Sequence, residues 1–225
     1  MNNFVFVHNP KTGGETIQTL LKLRKSHDYP YFFKKSIKKK YSFTFVRHPV
    51  SRMVSWYNHL LKHLYVHEIE NNVLNAKSQC YNLLTKGNIK MGPEKHRILA
   101  ENNDINNWIK IMLTNVDEYV LEDKKHNQDD VVEYGPLSLQ HKYVFDVDCK
   151  TQLVTDVFRF ENYEEELKRL LKKLDKEHLI PEINKTNHSK KKSEKLNDES
   201  LQLIYNYFQK DFELFDYKLE DYPNL

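Results

Sequence analysis

Cysteine, glycine and net charge are all in short supply in this chain of 225 residues, and the shortages exclude several kinds of protein. The two cysteines, Cys80 and Cys149, fall in no C-x-x-C or Cys/His spacing, which excludes a disulfide scaffold and gives no sign of a zinc site or redox pair. Lys and Arg number 35 against 32 Asp and Glu, a formal charge of +3, so the balance supplies no strong field of the kind a nucleic-acid coat carries. Any anion preference must be local. No stretch approaches the roughly 18 apolar residues a membrane span needs, and Met1 leads straight into Phe4-Val5-Phe6-Val7 without a signal-peptide pattern. The expected setting is cytoplasmic. Repeats and linker-like segments are also missing, so one domain over residues 1–225 is expected, large enough to bury a core without staples.

What is present is an apolar run, a turn and helical periodicity, in that order and twice over. Phe4 to Val7 is continuously apolar and ends at Asn9-Pro10, the pattern of a strand covered on both faces, and Ser42 to Val46 repeats it. Thr16, Ile17, Leu20 and Leu21 have helical spacing after the first run; Val50, Met53, Val54, Tyr57, Leu60 and Leu61 have it after the second, where Pro49 suits a first helical position. The repetition predicts an α/β fold around a parallel sheet. Further on, Asp104 is a cap candidate for a helix carrying Ile105, Trp108, Ile109 and Met112 on one face. Tyr143–Val147 and Leu153–Phe160 flank a polar turn and read as a hairpin. Two amphipathic helices follow, one carrying Leu167, Leu170, Leu171 and Leu174, the other beginning near Asp198 with Ile204, Phe208 and Phe212 on its stripe.

Because only five glycines exist, the adjacent pair Gly13-Gly14 between the first strand and the first helix is informative. In His8-Asn9-Pro10-Lys11-Thr12-Gly13-Gly14-Glu15-Thr16, backbone N–H groups can converge on an anion at a helix amino terminus, where the helix dipole also favours negative charge. Lys11 adds a point charge, and Thr12 and Thr16 add hydroxyls. The order differs from G-x-x-x-x-G-K-[ST], since Lys11 precedes the glycines, and no obvious acidic strand end for Mg²⁺ appears, which disfavours a nucleotide kinase. After the second strand, Arg47 offers a planar fork and Ser55, two turns into the helix, a hydroxyl, a pair suited to one phosphate. Together the two constellations predict a ligand with two separated phosphates.

These residues resemble the sulfotransferases that use 3′-phosphoadenosine 5′-phosphosulfate (PAPS). Phe6 to Ile17 is similar to their P-K-T-G-G-T-S loop for the 5′-phosphosulfate, and Arg47 to Tyr57 to their R-x-P-x-x-R-x-x-S-x-Y segment for the 3′-phosphate. Arg159-Phe160-Glu161-Asn162, Asn184-Lys185-Thr186 and Asp211 to Tyr217 are similar to the family's R-F-E-N, N-K-S/T and D-F-x-x-F-x-Y stretches, while residues from about 62 to 140 match nothing. The likeness is greatest to the carbohydrate branch, including the heparan sulfate 2-O-sulfotransferases. Two departures stand out: Glu15 replaces a usual Thr, and His48 a usual Asp or Asn.

The resemblance implies a P-loop-like domain, a central parallel sheet flanked by helices on both sides. It implies PAPS as donor without a metal, a hydroxyl-bearing acceptor that is a glycan, and no nucleic-acid partner. Residues 11–17 (Lys11, Thr12, Gly13, Gly14, Glu15, Thr16 and Ile17) with Arg47 and Ser55 would hold the nucleotide. Lys11 would stabilise the leaving oxygen, and His27, in a segment like the one that carries the family's histidine, would be the base, with His8 as runner-up. Lys34, Lys35 and Lys38–Lys40, with Lys190–Lys192, read either as solvated faces or as guidance for an anionic glycan. The alternatives are a Mg²⁺-dependent nucleotide or small-molecule kinase and a non-catalytic nucleotide- or nucleic-acid-binding protein.

Overall fold

The computed structural model describes residues 3–23, 28–69, 104–114, 121–122, 133–179 and 195–223. They form two compact units, the first from Met1–His48, Gln140–Lys195 and Glu220–Leu225, the second from Pro49–Leu139 and Leu196–Leu219.

The first unit is built on a three-stranded parallel sheet in the order β1 (Phe4–Phe6), β2 (Tyr41–Val46), β5 (Asp156–Arg159). β2 is central, and Ser42 through Val46 are all buried, so both of its faces are covered, as its continuous run predicts. Phe43 and Phe45 point to one face, where Phe158 stacks on Phe45 at 5.1 Å. Ile17 and Leu21 from helix α1 (Gly14–Leu20) and its end, and Leu167, Leu170 and Leu171 from the amphipathic helix Tyr163–Lys173, close over these rings to form the core. That helix carries Glu164, Glu165 and Glu166 in its first turn and Lys172 and Lys173 in its last, the charge order its dipole favours.

The expected hairpin forms only beside its turn, where Asp146 N donates to the Thr151 carbonyl and Leu153 N to the Val144 carbonyl, both at 2.8 Å. Phe145 and Gln152 make a single antiparallel bridge, and the second arm, Asp156–Arg159, runs parallel to β2 instead. Burial decides the outcome: Phe158 completes the aromatic core, and the pairing is fixed below it by Thr155, whose N–H donates to the Ser42 carbonyl at 2.9 Å. Between the arms, Asp148 accepts from the N–H groups of Thr151 and Lys150, both at 2.9 Å, which hold its carboxyl down at about 2.

Helix α2 (Lys34–Ile37) is a single turn of the first unit; in the second unit, helix α3 (Pro49–Ile69) begins at the expected proline. The helix at Ile105–Thr114 is capped by Asp104, whose carboxylate accepts from Asn106 and Asn107, and it buries the four residues its periodicity selects, Ile105, Trp108, Ile109 and Met112. It packs against the helix Asp198–Tyr207, where Lys110 pairs with Glu199 at 2.8 Å and the Asn197 side chain caps the amino end through Ser200. Gln209–Leu214 is a second short helix, with Phe208 and Phe212 buried along the expected stripe. β3 (Leu121–Glu122) and β4 (Glu133–Tyr134) pair antiparallel. Among the described residues, no helix is long and apolar enough to cross a membrane.

Candidate active site at the carboxyl ends of the strands

In parallel sheets of this kind, ligands bind beyond the carboxyl ends of the strands, and in the first unit the chemistry-bearing residues collect there. His8 to Gly14 follow β1, Arg47 and His48 follow β2, and Phe160 to Tyr163 follow β5.

The loop after β1 is shaped by its backbone. Lys11 and Gly13 both have positive φ, 66° and 80°, a conformation in which successive N–H groups line a concavity. Gly13 is the residue before α1, and no side chain caps that helix, so the N–H groups of its first turn, which have no intrahelical partner, are left for a ligand. Close neighbours require both glycines: a Cβ on Gly13 would lie 2.5 Å from the Tyr163 ring, and one on Gly14 would fall on the His8 ring.

Both threonine hydroxyls of the segment already have partners. Thr12 is fully buried and its hydroxyl donates to the Asn9 carbonyl at 2.7 Å, which commits the hydroxyl proton inside the loop. Thr16 bonds to the Tyr163 hydroxyl, and Tyr163 donates to the Gly13 carbonyl at 2.8 Å; burial pushes that phenol up to about 12 although the Thr16 bond opposes the rise. Ile17 is a core residue, so only its backbone can face a ligand. Glu15 is exposed in the first turn of α1, and Lys11 is half-buried. His8 is buried, stacked on Phe6 at 5.4 Å, and forms the floor beneath Gly14.

Arg47 joins this loop. Its guanidinium lies over the Phe160 ring, 4.3 Å from the centroid, and Nη1 donates to the Lys11 carbonyl at 3.4 Å. The next N–H, that of His48, donates to Glu161 Oε1 at 2.7 Å. The R-F-E-N stretch thus has a structural meaning: Phe160 supports both Gly13 and Arg47, and Glu161 holds the chain beyond β2.

Sequence reasoning missed Gln140. Its Oε1 accepts from Arg47 N at 2.9 Å and Asn9 Nδ2 at 3.0 Å, while its Nε2 donates to the Arg47 carbonyl at 2.6 Å. Nothing in a polar, Asn-rich segment distinguishes this glutamine. Arg52, the second arginine of the segment after β2, is buried in the second unit, where it bonds to the Ser138 hydroxyl and carbonyl and lies over Phe208. Ser55 stands half-buried in the second turn of α3, also in the second unit. His27, Asn184-Lys185-Thr186 and Lys190–Lys192 lie outside the described residues. Of the nearer lysines, Lys35, Lys38 and Lys39 are exposed and Lys34 pairs with Asp146 at 2.6 Å.

A glycine turn before an uncapped helix, with Lys11 and Arg47 beside it at the carboxyl ends of parallel strands, is the arrangement of an α/β protein suited to a phosphorylated ligand. The particular family follows from the chain as a whole. It belongs to the sulfotransferase family, whose model matches residues 2–218, and is therefore an enzyme that takes PAPS as its donor. No curated protein and no solved structure matches the chain. The residues present fit the donor, since the positive φ of Lys11 and Gly13 turns the loop toward the amino end of a helix that no side chain caps, with the Lys11 ammonium stem in the same loop.

Proposed function

We propose that this sulfotransferase acts on a carbohydrate hydroxyl, as in the branch that includes the heparan sulfate 2-O-sulfotransferases, by in-line transfer with His27 as base. Its motifs support the branch, and the family match running through both units supports reading 1–225 as one sulfotransferase domain. A cytoplasmic location belongs to the same reading.

PAPS supplies an activated sulfuryl group, and the rest is the chain's own work. The loop's N–H groups and Lys11 oppose the charge that develops on the leaving oxygen. Arg47 and Ser55 read the 3′-phosphate. His27, as a neutral imidazole, takes the proton from the acceptor hydroxyl as it attacks, an effect worth about 10²–10⁴ in rate. The observation that carries the reading is the meeting of Arg47 with the Lys11 loop across the ends of β1 and β2.

Adenosine 3′,5′-bisphosphate should bind more tightly than adenosine 5′-monophosphate, by the roughly 1.5–3 kcal/mol of a charge-assisted contact, and Arg47→Ala should narrow the difference. Titration calorimetry with both nucleotides measures it. Equal affinity for the two would remove Arg47 and Ser55 from the site.

A further inference from the structure

The ladder between β2 and β5 ends at the pair Val46↔Arg159, and that between β1 and β2 at Phe6↔Phe43, with one more bond from Val7 N to the Phe43 carbonyl. Beyond those points the backbone of β2 still carries polar groups that a buried site must satisfy. Two amide side chains do so. Asn9 Nδ2 donates to the Phe45 carbonyl at 3.0 Å, and Gln140 grips both the N–H and the carbonyl of Arg47. Both amides are fully buried, and Asn9 Nδ2 also donates to Gln140 Oε1 at 3.0 Å.

The two side chains therefore act as a short additional strand at the point where the sheet's own pairing stops, and they join the loop after β1 to the residue after β2. We propose that Gln140 is a positioning residue that locks the backbone of Arg47 to Asn9 of the phosphosulfate loop and so sets the spacing at which the enzyme reads the two phosphates of its nucleotide. The inference rests on the assignment of Arg47 to the 3′-phosphate. A primary amide suits this place because it accepts and donates at once: a carboxylate would accept but set an oxygen against the Arg47 carbonyl, and an aliphatic side chain would do neither. Glutamine also has the reach to approach Arg47 from the segment before β5, 93 residues further along the chain.

The test is the ratio of affinities for adenosine 3′,5′-bisphosphate and adenosine 5′-monophosphate in the wild type, Gln140→Leu and Gln140→Glu, with thermal melting alongside. A merely structural loss lowers both affinities together and leaves the ratio alone. Displacement of Arg47 lowers the bisphosphate affinity selectively, and the ratio should fall by about 10- to 100-fold in Gln140→Leu. In Gln140→Glu, which keeps the acceptor and loses the donor, it should fall less. Should Gln140→Leu fail to fold, the fall in Gln140→Glu decides. An unchanged ratio in the folded variants, with the wild type discriminating, overturns the role of Gln140 alone. A wild type that does not discriminate overturns the 3′-phosphate assignment and this inference with it.

Discussion

Gly14→Ala tests whether the loop is built against His8. The new Cβ would meet Nε2 and Cδ2 of the His8 ring at separations no real contact tolerates. The ring has little freedom to retreat, being 6% exposed and stacked on Phe6. Overpacking of this sort costs about 1–3 kcal/mol, and the better helix propensity of alanine returns up to about 1 kcal/mol, so a net loss of roughly 1–2 kcal/mol is expected. For a chain of this size that lowers Tm by about 2–8 °C. In a His8→Ala background the imidazole's volume is vacant, and the same substitution should cost almost nothing, giving a coupling of about 1–2 kcal/mol in a double-mutant cycle. Thermal and urea denaturation of the four proteins measure it. Equal losses in both backgrounds would refute the argument, since Gly14 would then be required for some reason other than the ring beside it.

Other perturbations separate catalytic from structural parts. His27→Ala should lower kcat by about 10²–10⁴ with little change in nucleotide Kd, seen in paired single-turnover and binding measurements, while His8→Ala should act mainly on stability. Arg52→Met should cost about 1.5–3 kcal/mol in urea denaturation, because the Ser138 hydroxyl and carbonyl lose a buried charged donor. Asp156 sets an acid limit: burial pushes its carboxyl up, but bonds from Lys173 and Tyr41 outweigh that and hold it below the ordinary value. Its stabilisation is therefore present above the unfolded carboxylate range and lost as pH falls through the depressed pKa, and Asp156→Asn should flatten that decline in denaturation midpoints measured from pH 6 to 2.

The elements that one stretch of sequence determines were legible. β1 and β2 follow from continuous apolar runs, the helix at Ile105–Thr114 from its cap and spacing, and the tight turn before α1 from two adjacent glycines in a chain with five. Partner choice was not: Asp156–Arg159 reads as a strand, yet only the buried ring of Phe158 among Phe43, Phe45 and α1 decides that it joins β2 in parallel. Thr12 was expected to offer a hydroxyl to the ligand, and the carbonyl three residues back claims it, a local competition that spacing does not reveal. Gln140 was invisible because its importance comes from where two ladders end.

The exposure of Glu15 and the inward turn of Thr12 bear on how this loop can change over generations. On the proposed assignment the loop's donors are mainly peptide N–H groups, so a replacement at position 15 removes none of them. The vulnerable positions are those that govern curvature: Gly13 at φ 80°, Gly14 above its imidazole floor, and Tyr163, supplied 150 residues after Gly13 to hold its carbonyl. A substitution at any of these three changes the contour of the loop while leaving its peptide groups in the chain.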